Sequence, residues 1–111
     1  MHSAMTHAQD VLFKALADPT RRAIFERLCH EGATTVGALT AHAGISQPAV
    51  SKHLGILKQA GLVSDQHQGR QTHYRARPGA LKPLVKWTHQ MTTFWQGRFD
   101  ELEILLKEMD Q

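Results

Sequence analysis

Between Thr35 and Gly61 two short helical patterns are separated by only three residues, and that spacing restricts the fold more than any other feature of the chain. Thr35 is a natural N-cap for a helix whose Val36, Leu39 and Ala43 step by three and four, and Gly44 closes it after about two turns. Past Gly44-Ile45, Ser46 is the next N-cap. Pro48 falls in the first turn, where its missing N–H is not needed, and Val50, Leu54 and Leu57 face inward until Gly61 ends the pattern. Two short helices joined through a glycine bend are the sequence form of a helix-turn-helix.

The flanks read as further elements. Residues 8–17 place Val11, Leu12, Ala15 and Leu16 on one helical face. Asp18-Pro19 then offers an N-cap followed by a proline at the first helical position, so a second helix begins at Pro19, buries Ile24 and Leu28, and stops near His30 before Glu31-Gly32. After Gly61, the segments Leu62–Gln66 and Thr72–Arg77 carry β-favouring Val63, Thr72 and Tyr74 around a basic tip at residues 67–71, a hairpin pattern. Pro78-Gly79 breaks the second strand. From about Ala80 to Met109, Leu81, Leu84, Thr88, Met91, Trp95, Phe99, Leu102, Leu106 and Met109 recur about every 3.5 residues, a coiled-coil-like seam. Pro83 fits that helix only in its first turn. The expectation is a mainly α chain with a small β-hairpin, ordered α-α-α-α-β-β-α and forming one domain over 1–111. Its helix-turn-helix covers about 36–60, its hairpin about 62–77 and its last helix about 80–109.

A chain of 111 residues with 41% apolar side chains holds one domain with a real core, which excludes a disordered chain and makes a multidomain enzyme unexpected. The single cysteine, Cys29, excludes an intramolecular disulfide framework and fits a reducing cytoplasm. The uncharged run from Gly32 to Ser51 is too polar to span a bilayer. Residues 1–10 lack the basic and apolar regions of a signal peptide, so a cytoplasmic protein with no membrane partner is expected. Charge is uneven. From Ser46 to Trp87, seven basic residues face only Asp65 for a net +6, whereas Arg98 to Gln111 carries −3. The basic half coincides with the second short helix and the hairpin, which points to an anionic partner.

A helix starting at Ser46 projects Gln47, Ala49, Ser51, Lys52 and His53 away from the face of Val50, Leu54 and Leu57. Gln reads adenine bidentately, Lys reaches guanine or phosphate, and Ser and His hydrogen-bond either, so this face suits a major groove. Thr35 and Ser46 head helices whose free N–H groups bind phosphate. Arg70 at the hairpin tip, with Gln71 and His73 beside it, suits a minor groove or a phosphate. Arg21 and Arg22 either touch phosphate or pair with Asp18 and Glu26.

Three segments in register, ALADPTRRAIFERL at 15–28, GISQPAVSKHLGILKQAGLV at 44–63 and GRQTHYRA at 69–76, resemble the ArsR family of bacterial winged-helix repressors, a likeness that runs over about residues 8–95. The resemblance implies a homodimer whose first and last helices pack across a two-fold axis. It also implies a recognition helix at 46–60 and a wing at 62–77 on double-stranded operator DNA. The dimer contacts expected on that basis are Leu12 on the first helix and Met91, Trp95, Phe99, Leu102 and Leu106 on the last.

Family members that sense metals do so through paired cysteines in the helix before the turn, or Asp and His pairs in the last helix. Here Val36–Ala43 holds no cysteine and the last helix offers only His89. The eight histidines are scattered, with His2 and His7 the pair able to meet other ligands across a dimer, and no metal site or cofactor is expected. No phosphate loop, nucleophile triad or paired carboxylate is found, so no catalytic residue is assigned. The function expected is a sequence-specific DNA-binding regulator, a dimeric repressor on an inverted repeat, with its small-molecule effector unassigned. The alternatives are a winged-helix protein-interaction module and a redox-responsive repressor acting through Cys29, whose ordinary role is that of a small buried hydrophobe.

Overall fold

In the computed structural model, which describes residues 4–110, Asp18 sets the corner between the first two helices, α1 (Ala4–Ala17) and α2 (Pro19–Glu31). Its carboxylate accepts the Arg21 backbone N–H at 2.8 Å, with Pro19 at the first helical position. That bond, helped by the nearby charges of His53 and Arg21, holds the Asp18 carboxyl below the ordinary aspartate range. Gly32 then leaves α2 at φ 77°, a conformation open to glycine, and returns its N–H to the Leu28 carbonyl.

The same capping logic builds α3 (Val36–Ala43) and α4 (Gln47–Gln59). The Thr35 hydroxyl accepts the Ala38 N–H at 3.1 Å, and the Ser46 hydroxyl accepts the Ala49 N–H at 3.3 Å. Gly44 makes the bend between the helices at φ 69°. Leu39, Val50, Leu54 and Leu57 turn inward to join Leu12, Ala15, Ile24, Phe25, Leu28, Leu62 and Val63 in the core. Each large aliphatic buried there stabilises the fold by roughly 1.5–3 kcal/mol.

The hairpin strands are β2 (Val63–Gln68) and β3 (Gln71–Ala76), once a two-residue strand, β1 (Thr34–Thr35), has been counted first. They form an antiparallel sheet in the order β1-β3-β2, with Thr34 opposite Tyr74 and Thr35 opposite His73. The expected order of elements therefore lacks one strand. A two-residue strand has no periodicity to detect, and it forms only because the hairpin comes back to pair with it. Gln68 pairs with Gln71, so the tip shrinks from the five residues expected to Gly69-Arg70, with Gly69 at φ 64°. The first helix also begins earlier than expected, at Ala4 rather than at residue 8.

Residues up to Leu81 form one compact unit and those from Lys82 a second. The second is α5 (Lys82–Met109), 28 residues or about 42 Å long, with Pro83 in its first turn where a proline is tolerated. None of its side chains is buried. Among the described residues no helix is long and apolar enough to cross a membrane.

Candidate nucleic-acid interface

Capping, charge and the hairpin turn bring three chain segments to one place. The first turn of α3, the start of α4 and the tip of the β2–β3 hairpin line a polar notch of about 270 Å³ formed by Thr35, Val36, Gly37, Gln47, Arg70, Gln71 and Thr72. The early N–H groups of α3 and α4 carry the positive ends of their helices there, and the Arg70 guanidinium adds a full charge. On the outward side of α4, Ser51 and Lys52 are exposed beside the exposed Gln47. Lys52 and Arg70 have no ion-pair partner among the described residues. A strip of hydrogen-bonding side chains on a helix, flanked by an arginine with no ion-pair partner, matches what a duplex offers: base edges in the groove and phosphates at its rim.

Other expected contacts lie elsewhere. Ala49 is half-buried. His53 projects toward the α1–α2 corner, not outward: its side chain is 19% exposed, with Nδ1 4.0 Å from Asp18 Oδ2 and 3.5 Å from Arg21 Nη1. The physical reason is helical pitch, because three residues after buried Val50 the chain has turned most of the way back to the core side. His73 sits in the middle strand between Gln66 and Thr35, half-buried, and its Nδ1 is buried without a hydrogen-bond partner among the described residues. The Thr35 and Ser46 hydroxyls are taken up as caps on the Ala38 and Ala49 N–H groups, and Pro48 has no N–H, so the backbone at the notch is that of Val36, Gly37 and Gln47.

Two arginines resolve in a way the sequence did not indicate. Arg21 donates through Nε to the Ala15 carbonyl and through Nη2 to the Lys14 carbonyl at 3.1 Å, while Arg22 Nη1 donates to the Leu16 carbonyl at 2.9 Å. Both guanidiniums thus cap the C-terminal end of α1, where orphan carbonyls and the negative end of the helix favour cations. Neither makes the side-chain pair with Asp18 or Glu26 that the sequence suggested. Lys58 is likewise committed: its ammonium lies 3.0 Å from Asp65 Oδ2, tying α4 to β2 and holding the Asp65 carboxyl below its ordinary range. No local spacing announces a pair seven residues apart across a helix end and a strand.

Leu12 is 4% exposed and belongs to the chain's own core, so it has almost no surface left to offer a partner. Met91, Trp95, Phe99, Leu102 and Leu106 are exposed on α5. Cys29 is exposed, against the reading of it as a buried hydrophobe, and partial desolvation followed by the Glu26 charge pushes its thiol up, away from thiolate reactivity. His2 lies outside the described residues. Among those described, no group of three or more His, Cys, Asp or Glu is placed to hold a metal.

Residues 16–66 match the family model of a helix-turn-helix domain. The chain is similar to the transcriptional repressor SdpR of Bacillus subtilis, at 41% identity over 76 residues that cover 68% of this chain and 83% of that one. Among solved structures it is similar to an ArsR-like transcriptional regulator from a Rhodococcus species, with a TM-score of 0.78, 25% identity, and coverage of 93% of this chain and 96% of that one. It is also similar to a homodimeric winged helix-turn-helix DNA-binding domain from Mycobacterium bovis, with a TM-score of 0.65, 26% identity, and coverage of 81% and 82%. Capped helices in helix-turn-helix order, a three-stranded wing and these relatives agree: the chain belongs to the ArsR family of winged helix-turn-helix regulators, DNA-binding transcription factors and not enzymes.

Proposed function

We propose that the chain is a homodimeric repressor that binds an inverted repeat, with α4 in the major groove and the hairpin tip on the flanking backbone. The observation that carries this reading is the notch that joins the starts of α3 and α4 to Arg70. Gln47, Ser51 and Lys52 face bases, Arg70 and Gln71 hold the wing to the duplex, and the backbone N–H groups of Val36, Gly37 and Gln47, just behind Thr35 and Ser46, meet phosphates. His73 and Ala49 are set back from this contact, and His53 serves it indirectly through the α1–α2 corner. The chain works as one winged-helix domain with α5 as its dimerisation arm. Exposed Trp95, Phe99, Leu102 and Leu106 form a stripe that invites a second copy, which fits the homodimer described for the Mycobacterium bovis relative. Lys82 and Lys86 near the start of α5, against Glu101, Glu103, Glu108 and Asp110 near its end, favour an antiparallel pairing of two copies.

Selection from random DNA tests the proposal. It should enrich a two-fold site whose half-sites are about 34 Å apart, with an affinity that falls steeply as salt rises. A single unrepeated motif, or binding flat in salt, overturns it.

A further inference from the structure

β1 is two residues long and pairs only as far as Tyr74, so β3 from Arg75 onward has no strand neighbour on that side. A hollow of about 510 Å³ opens there, a size in the ordinary range for a small-molecule site. Phe25 and Leu28, both core residues, supply its floor, with Ala76, Pro78 and Leu81 along one wall and Cys29 at its edge. Arg75 and Arg77 also line it, and among the described residues neither guanidinium has an ion-pair or hydrogen-bond partner. A comparable hollow between α2 and α3, about 390 Å³, has its one arginine, Arg27, already held by Glu31 at 3.0 Å.

We propose that the hollow beside β3 is an effector site for a small amphipathic anion, an apolar body carrying a carboxylate. Its apolar part rests on Ala76, Pro78 and Leu81, with the buried Phe25 and Leu28 behind them, and its charge meets Arg75 and Arg77. Those two requirements select against neutral oils, which leave the guanidiniums unpaired, and against inorganic anions, which leave the floor in water. Because the site shares β3 with the wing, occupancy bears on the strand that carries Gln71 next to Arg70. This regulatory consequence rests on the DNA-binding reading above, whereas the site itself does not.

Cys29 is the chain's only cysteine and lies at the site's edge, so its alkylation by iodoacetamide at alkaline pH reports occupancy without DNA. With octanoate as the probe, below its aggregation concentration, alkylation should slow about tenfold at ~10 times the dissociation constant if bound ligand shields the thiol. Octanol should protect far less, and an Arg75→Gln/Arg77→Gln variant, changed at exposed positions and checked for folding by circular dichroism, should lose the protection. Absence of protection overturns the proposal. So does equal protection by octanol, or protection that survives in the double variant, because each means adsorption to apolar surface. If protection holds but octanoate leaves operator affinity unchanged, the regulatory half falls while DNA binding, measured in the same titration, stands.

Discussion

Arg21→Ala separates a structural arginine from a DNA contact. The side chain makes two bonds to α1 carbonyls and a 3.5 Å approach to His53, all at the corner beneath α4. Charge-assisted hydrogen bonds are worth about 1.5–3 kcal/mol each when buried. The bond to Lys14 is exposed and its carbonyl regains water, and the bond to Ala15 is part-buried, so the discounted loss is about 1–2 kcal/mol, including the helix-end charge. Lys in place of Arg should recover little, because an ammonium cannot reach two carbonyls with the geometry of the guanidinium fork. Urea unfolding of the wild type and both variants at one fixed protein concentration gives the stability change, and operator affinity at several salt concentrations gives the number of phosphate contacts. The expected outcome is a lower midpoint with an unchanged salt slope. Unchanged stability with a salt slope shallower by about 1 would show that Arg21 is a phosphate contact and that the carbonyl caps carry no weight.

The remaining expectations concern single positions. Arg70→Ala should weaken binding to all sequences and reduce the salt slope by about 1, whereas Gln47→Ala should change base preference; equal losses on every site would refute that division. Gly44→Ala, at φ 69°, should cost about 1–2 kcal/mol in urea unfolding, while Gly55→Ala, where an added Cβ meets nothing within 4 Å, should gain about 0.5–1 kcal/mol. Asp18 and Asp65 have folded pKa values below the ordinary 3.8, so their contribution is present above that pH and is lost as pH falls through it and below. Asp18→Asn and Asp65→Asn should therefore flatten the loss of stability in acid without altering its shape near neutrality. Leu102→Lys should yield a folded monomer by sedimentation and circular dichroism, and a folded, fully dimeric variant would remove α5 as the interface.

What the sequence shows of this fold is what is decided within four residues. Asp18, Thr35 and Ser46 cap helices because a short oxygen-bearing side chain finds the N–H three residues on, and Gly44 bends the chain because its left-handed φ strains most residues with a Cβ. Contacts set by tertiary return are invisible at that range. β1 exists only once β3 lies beside it, Arg21 and Arg22 reach back six or seven residues over a corner, and His53 meets Arg21 across 32 positions. The proposed contact residues divide on the same line. Gln47, Ser51, Lys52 and Arg70 follow from helix phase and a turn, whereas His53 and Leu12 fall on the edge of a helical face, where packing and not periodicity decides the side.

That division limits how the protein can achieve specificity. α4 is held by its buried leucines, by Lys58 on Asp65 and by His53 at the α1–α2 corner, so its orientation is fixed and few side chains remain for bases. Gln47 and Lys52 are the two long ones. A good bidentate pair discriminates by about 1–3 kcal/mol, so α4 in the proposed reading role offers about 2–6 kcal/mol when both side chains find ideal partners. Specific regulators bind their sites about 4–10 kcal/mol more tightly than other DNA. One copy reaches only the lower part of that range, and two copies on a repeated half-site span it. In the proposed dimer the exposed apolar stripe of α5 is thus the counterpart of a sparse recognition face, and weakening that pairing should cost sequence discrimination before it costs salt-dependent attraction to DNA.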